Sequence, residues 1–301
     1  MRSILLASAA MLVASCGETS QTQATAGDDA TLANEAAAIA VDGDWLGALE
    51  RNDADATDAL LAEEFQWIDT EGRLRARTEA IDDIAALRNG LLGGSSAQSY
   101  HYGHVEVITS ERPGERWMRV WTLEPEGWRA FAVIGTALVT GSTPFAASGN
   151  VATGDCENPC RSMPFTPTTE NEKTIADLFI QLKLDEWQPN PERWAPYVLD
   201  DVYYTTATAQ LSKAARVEHL TALREAGARS APGDPVVSMR IFDFGDSAVM
   251  LARHDPYRGG QPYLSVRVWV FRDGRWQLAN TQQTVIADAP AAAPVAGARP
   301  L

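Results

Sequence analysis

The sequence predicts an α+β protein made of two tandem copies of one domain. Three observations carry this reading. The stretches "RVWTLEPEGW" at 119–128 and "RVWVFRDGRW" at 267–276 open and close alike, 148 residues apart. Residues 60–90 lie over 197–227 with one residue skipped, so that Glu63-Glu64 meets Asp200-Asp201, Trp67 meets Tyr204, and "ALR" follows in both. In each half, helical spacing comes first and a run of strand patterns afterwards, which is the order of a layered α+β fold and not of a solenoid.

At 301 residues and 45% hydrophobic, the chain holds enough apolar material for two ordinary cores. The first domain is read as 31–140. There Leu46 and Leu49 carry helical spacing that resumes at Leu60 and Leu61 after a break at "RNDAD", where Asp53 or Asp55 caps a second short helix. "FQWID" alternates and puts Phe65, Trp67 and Asp69 on one strand face. "TEAIDDIAALRNG" reads as a helix capped by Thr78 and stopped by Gly90. Strands follow near 100–109, 116–124 and 128–138. The second domain, 168–288, has helices near 171–186, 191–199 and 212–226, then the strands "VVSMRIFDF", "SAVMLARH", "YLSVRVWVFR" and "RWQLANTQQTVI". One hairpin strand more is read between "ALR" and R-V-W in the second half than in the first. The first sheet is therefore expected to be shorter and to pack against its neighbour.

The ends of the chain are different in kind. "MRSILLASAAMLVASC", residues 1–16, has a positive start, an apolar stretch and small residues before a cysteine, and must be set aside from the fold. Val13, Ala14, Ser15 and Cys16 resemble the lipobox of bacterial lipoproteins. That resemblance implies a diacylglycerol on Cys16 and anchoring in the cell envelope, and Gly17 in place of Asp implies the periplasmic face of the outer membrane. Acyl chains hold at about 0.8 kcal/mol per buried methylene, without a spanning helix. No apolar run reaches the roughly 18–20 residues of a membrane span, so the expected membrane contact is the lipid alone. Residues 17–30 are polar and small and read as a tether, 141–167 as a linker, and 289–301 as a disordered Ala/Pro tail. With 40 acidic against 25 basic residues and a formal charge of −15, nucleic acid is excluded as a partner class. With Cys16 acylated, Cys156 and Cys160 remain as an even pair in an oxidising compartment, which favours a disulfide provided their Cα atoms are close. The C-x3-C spacing is not that of a C-x2-C redox motif, and zinc lacks further ligands nearby.

Helix, short helix, acidic pair, aromatic strand, helix, then an Arg-Val-Trp strand and a Gly-Trp turn recur in both halves. That order resembles the nuclear transport factor 2-like superfamily, above all its bacterial secreted domains of unknown function. The resemblance implies two cone-shaped domains, each a curved antiparallel sheet wrapped around helices, with a cavity at the mouth for a small apolar or amphipathic ligand. Set against the superfamily's isomerases, Asp69 falls where a carboxylate abstracts a carbon-bound proton, and Trp67 supplies the apolar wall that such a base needs. Trp45 stands where the tyrosine donor would be, Arg119 replaces the second acid, and Thr206 lies opposite Asp69 in the other half. Read from the residues alone, Asp69 also organises the turn "DTEG".

The aromatic set has two readings. Trp45, Trp67, Trp121 and Trp128 in one half, and Tyr204, Trp269 and Trp276 in the other, either line cavities or fill cores. Arg119 beside Trp121, and Arg267 beside Trp269, either stack on a ring or hold an anionic ligand group. In the last strand Asn280, Gln282 and Thr284 face one way and Thr281 and Gln283 the other, so this strand lines a polar pocket or a wet interface. His101 and His104 are read on one strand, facing oppositely. His104 shares a face with Glu106, yet two ligands make no metal site, so neither metal nor cofactor is expected. No nucleophile elbow or phosphate loop is present in the sequence. The function expected is a non-catalytic, envelope-anchored module for a small molecule or a protein, its domains paired within the chain or in a homodimer. The alternative is an isomerase- or cyclase-like enzyme with Asp69 as base.

Overall fold

A computed structural model describes residues 26–139, 155–256 and 261–287. Cys16 and its lipobox, residues 17–25 of the tether, 141–154 of the linker and the tail lie outside them. The first domain runs α1 (Ala26–Glu50), α2 (Ala54–Asp58), β1 (Leu61–Ile68), β2 (Leu74–Ala76), α3 (Arg77–Asp82), α4 (Ile84–Leu91), β3 (Ser95–Tyr102), β4 (Val105–Arg112), β5 (Glu115–Glu124) and β6 (Gly127–Ala137). The second runs α5 (Glu170–Trp187), α6 (Pro191–Trp194), a 3-10 turn (Ala195–Tyr197), β7 (Val198–Thr205), β8 (Gln210–Leu211), α7 (Lys213–Glu225), β9 (Val236–Asp243), β10 (Ser247–His254), β11 (Tyr263–Arg272) and β12 (Arg275–Val285). Each domain has six strands, in the orders β2-β1-β6-β5-β4-β3 and β8-β7-β12-β11-β10-β9. Every pair is antiparallel except β1·β6 and β7·β12, so the sheets are mixed. Both domains have an α+β build, helices joined to a mixed six-stranded sheet.

The duplication holds in the register. Trp121 pairs with Ala130 and Trp269 with Leu278, and the bulge just before each tryptophan falls at the same place. A bulge bends its strand, so both sheets curl at equivalent points. In the parallel pairs, Trp67 faces Val133 as Tyr204 faces Thr281.

Several expectations are corrected. The first sheet is not the shorter one: β3 and β4 form a hairpin across Tyr102–His104, where a single strand near 100–109 was expected. Gly103 makes that turn at φ 67°, a region open to glycine. The helix expected over 78–90 is broken at Asp83, and its cap is Ala76, whose N–H donates to the Glu79 carboxylate. It also runs past Gly90 to Leu91, because Gly90 gives room to Trp117: a Cβ there would lie 2.6 Å from the indole. Leu61 belongs to a strand, and α1 starts at Ala26, five residues inside the stretch read as tether. Asp53 does cap α2, accepting from Ala56 N at 3.0 Å.

Each sheet has two covered faces. One packs on the helices of its own domain, giving a core around Trp45, Phe65 and Trp121 in the first and around Phe179, Leu220 and Trp269 in the second. The other faces the opposite sheet, where Val107, Met118, Val120 and Ile134 meet Tyr203, Val249, Val266 and Val268 in one shared core. The seam is tied by the last strands. Gln282 Nε2 lies 2.9 Å from each of Arg116 O, Ile134 O and Thr136 Oγ1, and Thr136 Oγ1 donates to Gln283 O at 2.9 Å. Thr284 Oγ1 donates to Gly135 O at 2.5 Å. This chain therefore carries its own face-to-face sheet pair.

Candidate functional site

In the first domain, the inner wall of the sheet is closed by a buried ion pair. Arg119 points from β5 toward α1, where its Nε and Nη2 donate to the two carboxylate oxygens of Asp42 at 2.6 and 2.9 Å. Trp121 Nε1 donates to the same carboxylate at 2.9 Å, and Arg119 Nη1 to Ser110 Oγ at 3.2 Å. Arg119 is 3% exposed and Asp42 5%. Arg119 thus holds an internal anion and not a ligand's. Trp45 stands edge-on to Trp121 at 5.6 Å, and Arg75 lies over the Trp67 ring at 4.1 Å. Trp45, Trp67 and Trp121 therefore fill this interior and do not line an opening. Trp117 completes it, seated on Gly90 and Gly135, where a Cβ would come within 2.6 Å of its ring.

Asp69 follows the end of β1 and is held by its own turn. Its carboxylate accepts from Glu71 N and Arg73 N, both at 3.0 Å, and from Arg73 Nε at 2.7 Å, with Arg75 Nη2 at 3.3 Å. Thr206, its counterpart, does the same for the second turn, accepting from Thr208 N at 3.2 Å and Ala209 N at 3.1 Å. A proton-abstracting base needs an oxygen free to meet substrate. Here both oxygens are engaged by N–H donors, which fits the turn-organising reading.

The equivalent inner wall of the second domain keeps the arginine and the tryptophan of β5 and differs around them. Across the sheet, Arg267 stands where Arg119 does, while Val133 and Trp67 give way to Thr281 and Tyr204 in the same register. Between Ala38/Ile175 and Leu61/Val198 the two halves align without a gap, which places Phe179 where Asp42 stands. The Phe179 ring lies 4.8 Å from the Arg267 guanidinium carbon, a cation–ring contact in place of the ion pair. Arg267, 3% exposed, donates to Ser265 Oγ at 2.6 Å, and its Nη2 lies 3.3 Å from His254 Nε2. The other His254 nitrogen is 3.2 Å from the Asp234 carbonyl, so Nδ1 carries the proton and Nε2 accepts. Burial, and then the Arg267 charge, push the His254 pKa well below its ordinary value and keep the ring neutral. It stacks on Tyr263 at 4.6 Å. Tyr204 OH accepts from Gln283 Nε2 at 3.1 Å. Thr281 Oγ1 and Trp269 Nε1, both wholly buried, have no partner among the described residues. A hollow of about 10 Å³, lined by Tyr204, Val198, Val202, Leu278, Lys213 and Arg216 among others, lies against this wall.

Asn280 and Gln282 face the other way, into the seam between the sheets. Gln282 and Thr284 serve that interface through direct hydrogen bonds, the Asn280 amide has no partner among the described residues, and neither Asn280 nor Gln282 lines the inner wall. Between the domains lies a groove of about 460 Å³ with Phe131, Phe242 and Phe244 along it and Glu64 and Asp243 at its edge. Arg240 ion-pairs with Glu64 at 2.8 Å and covers the Phe242 ring at 4.5 Å.

Sequence reasoning missed Asp42, whose only signal was an acid on the apolar face of "AIAVDGDWLGAL". It also misplaced the histidines. His104 lies in the hairpin turn, exposed, 3.0 Å from Asp246 of the second domain. His101, not His104, meets Glu106: its Nδ1 is 2.8 Å from that wholly buried carboxylate, which also accepts from Ser99 Oγ. Burial raises the Glu106 pKa, against the opposing pull of Ser99 and His101. Among the described residues no three His, Cys, Asp or Glu side chains are grouped to hold a metal ion. Cys156 and Cys160 are joined as a disulfide with Cα atoms 5.4 Å apart, packed on Trp187.

No family model and no curated protein matches this chain. Among solved structures it is similar to a nuclear transport factor 2-like protein of unknown function in nutrient uptake from Rhodospirillum rubrum, at 17% identity and TM-score 0.31, over 37% of this chain and 98% of that one. A nuclear transport factor 2-like protein of unknown function from Pseudomonas putida gives 17% identity and TM-score 0.32, over 40% of this chain and 89% of that one. A nuclear transport factor 2-like protein from Cytophaga hutchinsonii gives 19% identity and TM-score 0.25, over 33% of this chain and 94% of that one.

Proposed function

We propose that this protein is a non-catalytic binding module of the bacterial envelope, anchored through Cys16 and built as an internal pair of domains. The observation that supports it is the engagement of the groups that would do chemistry in the first domain. Asp69 is bound into its turn and Arg119 into Asp42, while Thr206 leaves the second domain without a carboxylate at the matching place. The sheet faces that would pair two copies are already paired within one chain. The described residues begin at Ala26, ten residues after Cys16, so an acyl anchor would hold the domains close to a membrane surface.

The experiment pairs two variants in the native host. Asp69→Asn is expected to leave the cellular phenotype and ligand binding unchanged, apart from a modest loss of stability from the altered turn. Cys16→Ser is expected to release the protein from the membrane fraction. Loss of phenotype in folded Asp69→Asn protein would restore the isomerase- or cyclase-like reading, and membrane retention of Cys16→Ser would refute the anchor.

A further inference from the structure

The acidic pairs near the start of β1 and β7 have gone different ways. Asp200 is met by Lys213 of its own domain at 2.6 Å. Glu63, at the matching place, forms no ion pair among the described residues, and Glu64 reaches across the domain boundary to Arg240 at 2.8 Å. Both glutamates stand on the rim of the groove of about 460 Å³ between the domains, a volume within the roughly 300–1,000 Å³ of small-molecule sites.

The floor of that groove is aromatic. Phe131 is buried, while Phe242 at the end of β9 and Phe244 just past it stand edge-on to it at 4.8 and 5.4 Å and are partly exposed. The face of such a ring is electron-rich and attracts a cation. The rim adds the carboxylates of Glu63, Glu64, Glu124, Glu172 and Asp243. Glu172 accepts from the Thr168 and Thr169 N–H groups, and Asp243 from the Thr169 hydroxyl and the Asn171 amide. These donors are neutral, so they leave both negative charges in place. Glu124, like Glu63, forms no ion pair among the described residues; Arg77 is near enough to act on both, but it is held by Asp58 at 2.7 Å.

Arg240 shows what this surface accepts. Its guanidinium lies over the Phe242 ring at 4.5 Å while its edge meets Glu64. One internal cation thus occupies one ring and one carboxylate, and Phe244, Glu63 and Glu124 are left for another.

We propose that this groove binds a small organic cation, an amidinium, guanidinium or alkylammonium whose apolar part lies on Phe244 and whose charge faces Glu63 and Glu124. The inference rests on the binding-module reading and gives it a ligand class. A rim of carboxylates alone would draw any cation. The rings select an organic one, because a ring face cannot replace the oxygen ligands of a small metal ion.

The test is calorimetric titration of the full-length protein at low salt with benzamidine, cationic at neutral pH, and in parallel with benzamide, which has the same shape and no charge. Benzamidine is expected to bind saturably and benzamide about tenfold more weakly or worse. Glu63→Gln with Glu124→Gln is expected to weaken benzamidine binding about fivefold, and Phe244→Leu about threefold. Arg240→Gln removes the internal competitor and is expected to tighten binding about threefold. Glu63, Glu64 and Arg240 are exposed, so the carboxylate and arginine variants serve if Phe244→Leu fails to fold. Equal binding of the two probes, unaltered binding by the double carboxylate variant, weaker binding by Arg240→Gln, or no heat up to about 10 mM benzamidine would overturn the proposal. A tetra-arginine peptide that binds where benzamidine does not would assign the groove to a basic protein segment and also overturn it. The binding-module reading itself is judged by Asp69→Asn, which this titration does not touch.

Discussion

Arg119 and Arg267 stand at equivalent places on β5 and β11, equally buried, yet one meets a carboxylate and the other a phenyl ring. Strand register and bulge position are shared by the two domains, so backbone architecture survived the divergence of the interiors. The first interior is closed by Trp45, Trp67, Trp117, Trp121 and an ion pair. The second is smaller in its side chains and richer in hydroxyls, and has its carboxylate at Glu186 instead of at the Asp42 place. A duplicated scaffold can thus keep its backbone while its two interiors diverge, with only a few substitutions on one sheet face.

The comparison is broken most severely at Asp42. A buried ion pair adds little over an apolar pair, but removing one partner leaves the other charge without compensation. Asp42→Ala is expected to cost about 3–5 kcal/mol in urea unfolding. Adding Arg119→Met should recover much of that loss. A cost no larger than the roughly 0.5 kcal/mol of an ordinary surface change would show that Arg119 finds another partner and that the two interiors are less different than they look.

Much of this was legible in the sequence, and the parts that were not share a cause. The repeated R-V-W strands, the acidic pairs and the aromatic alternation gave the two α+β domains, because period and order are local properties of the chain. The hairpin across Gly103 was lost because "SYHYGHVEV" alternates well enough to pass for one strand, and a single glycine marked the turn. The ion pair was not legible because Asp42 and Arg119 are 77 residues apart and the pairing exists only once α1 lies in the sheet. Gln282 remained ambiguous for a similar reason. Its polarity was evident, but which face of the strand met another sheet depended on the second domain as a whole.

A second difference between the halves is titratable. Where the first domain has the wholly buried Leu49, the gapless alignment places Glu186 in the second. Its carboxylate has Lys183 Nζ at 2.9 Å, Arg216 Nη2 at 3.0 Å and Trp194 Nε1 at 3.2 Å. Burial opposes its ionisation, but Arg216 and Lys183 outweigh burial and bring its pKa from an ordinary 4.5 to about 2. The folded value lies below the unfolded one. The stabilisation is therefore present above pH 4.5 and is lost as the pH falls toward 2, on the order of 3 kcal/mol in full. Glu186→Gln should flatten the acid limb of a stability profile over that window. An unchanged limb would mean that other carboxylates carry the acid sensitivity.

The smallest expected effect is at the seam, where equivalent residues of the two halves meet. Ile134 and Gln282 hold matching places on β6 and β12, and the Gln282 amide donates to the Ile134 carbonyl itself. Gln282→Ile would make the two strands alike. It would add apolar surface to a core that is already apolar, but it would also remove the donor shared by Arg116 O, Ile134 O and Thr136 Oγ1. Unsatisfied buried acceptors cost about 1–3 kcal/mol, more than one added apolar contact returns at a site shaped for an amide. The variant should therefore unfold at lower urea concentration, while the separate interiors stay intact by tryptophan fluorescence. If it is instead as stable as the parent, the asymmetry of the seam has no energetic role, and the domains are held by their shared apolar core alone.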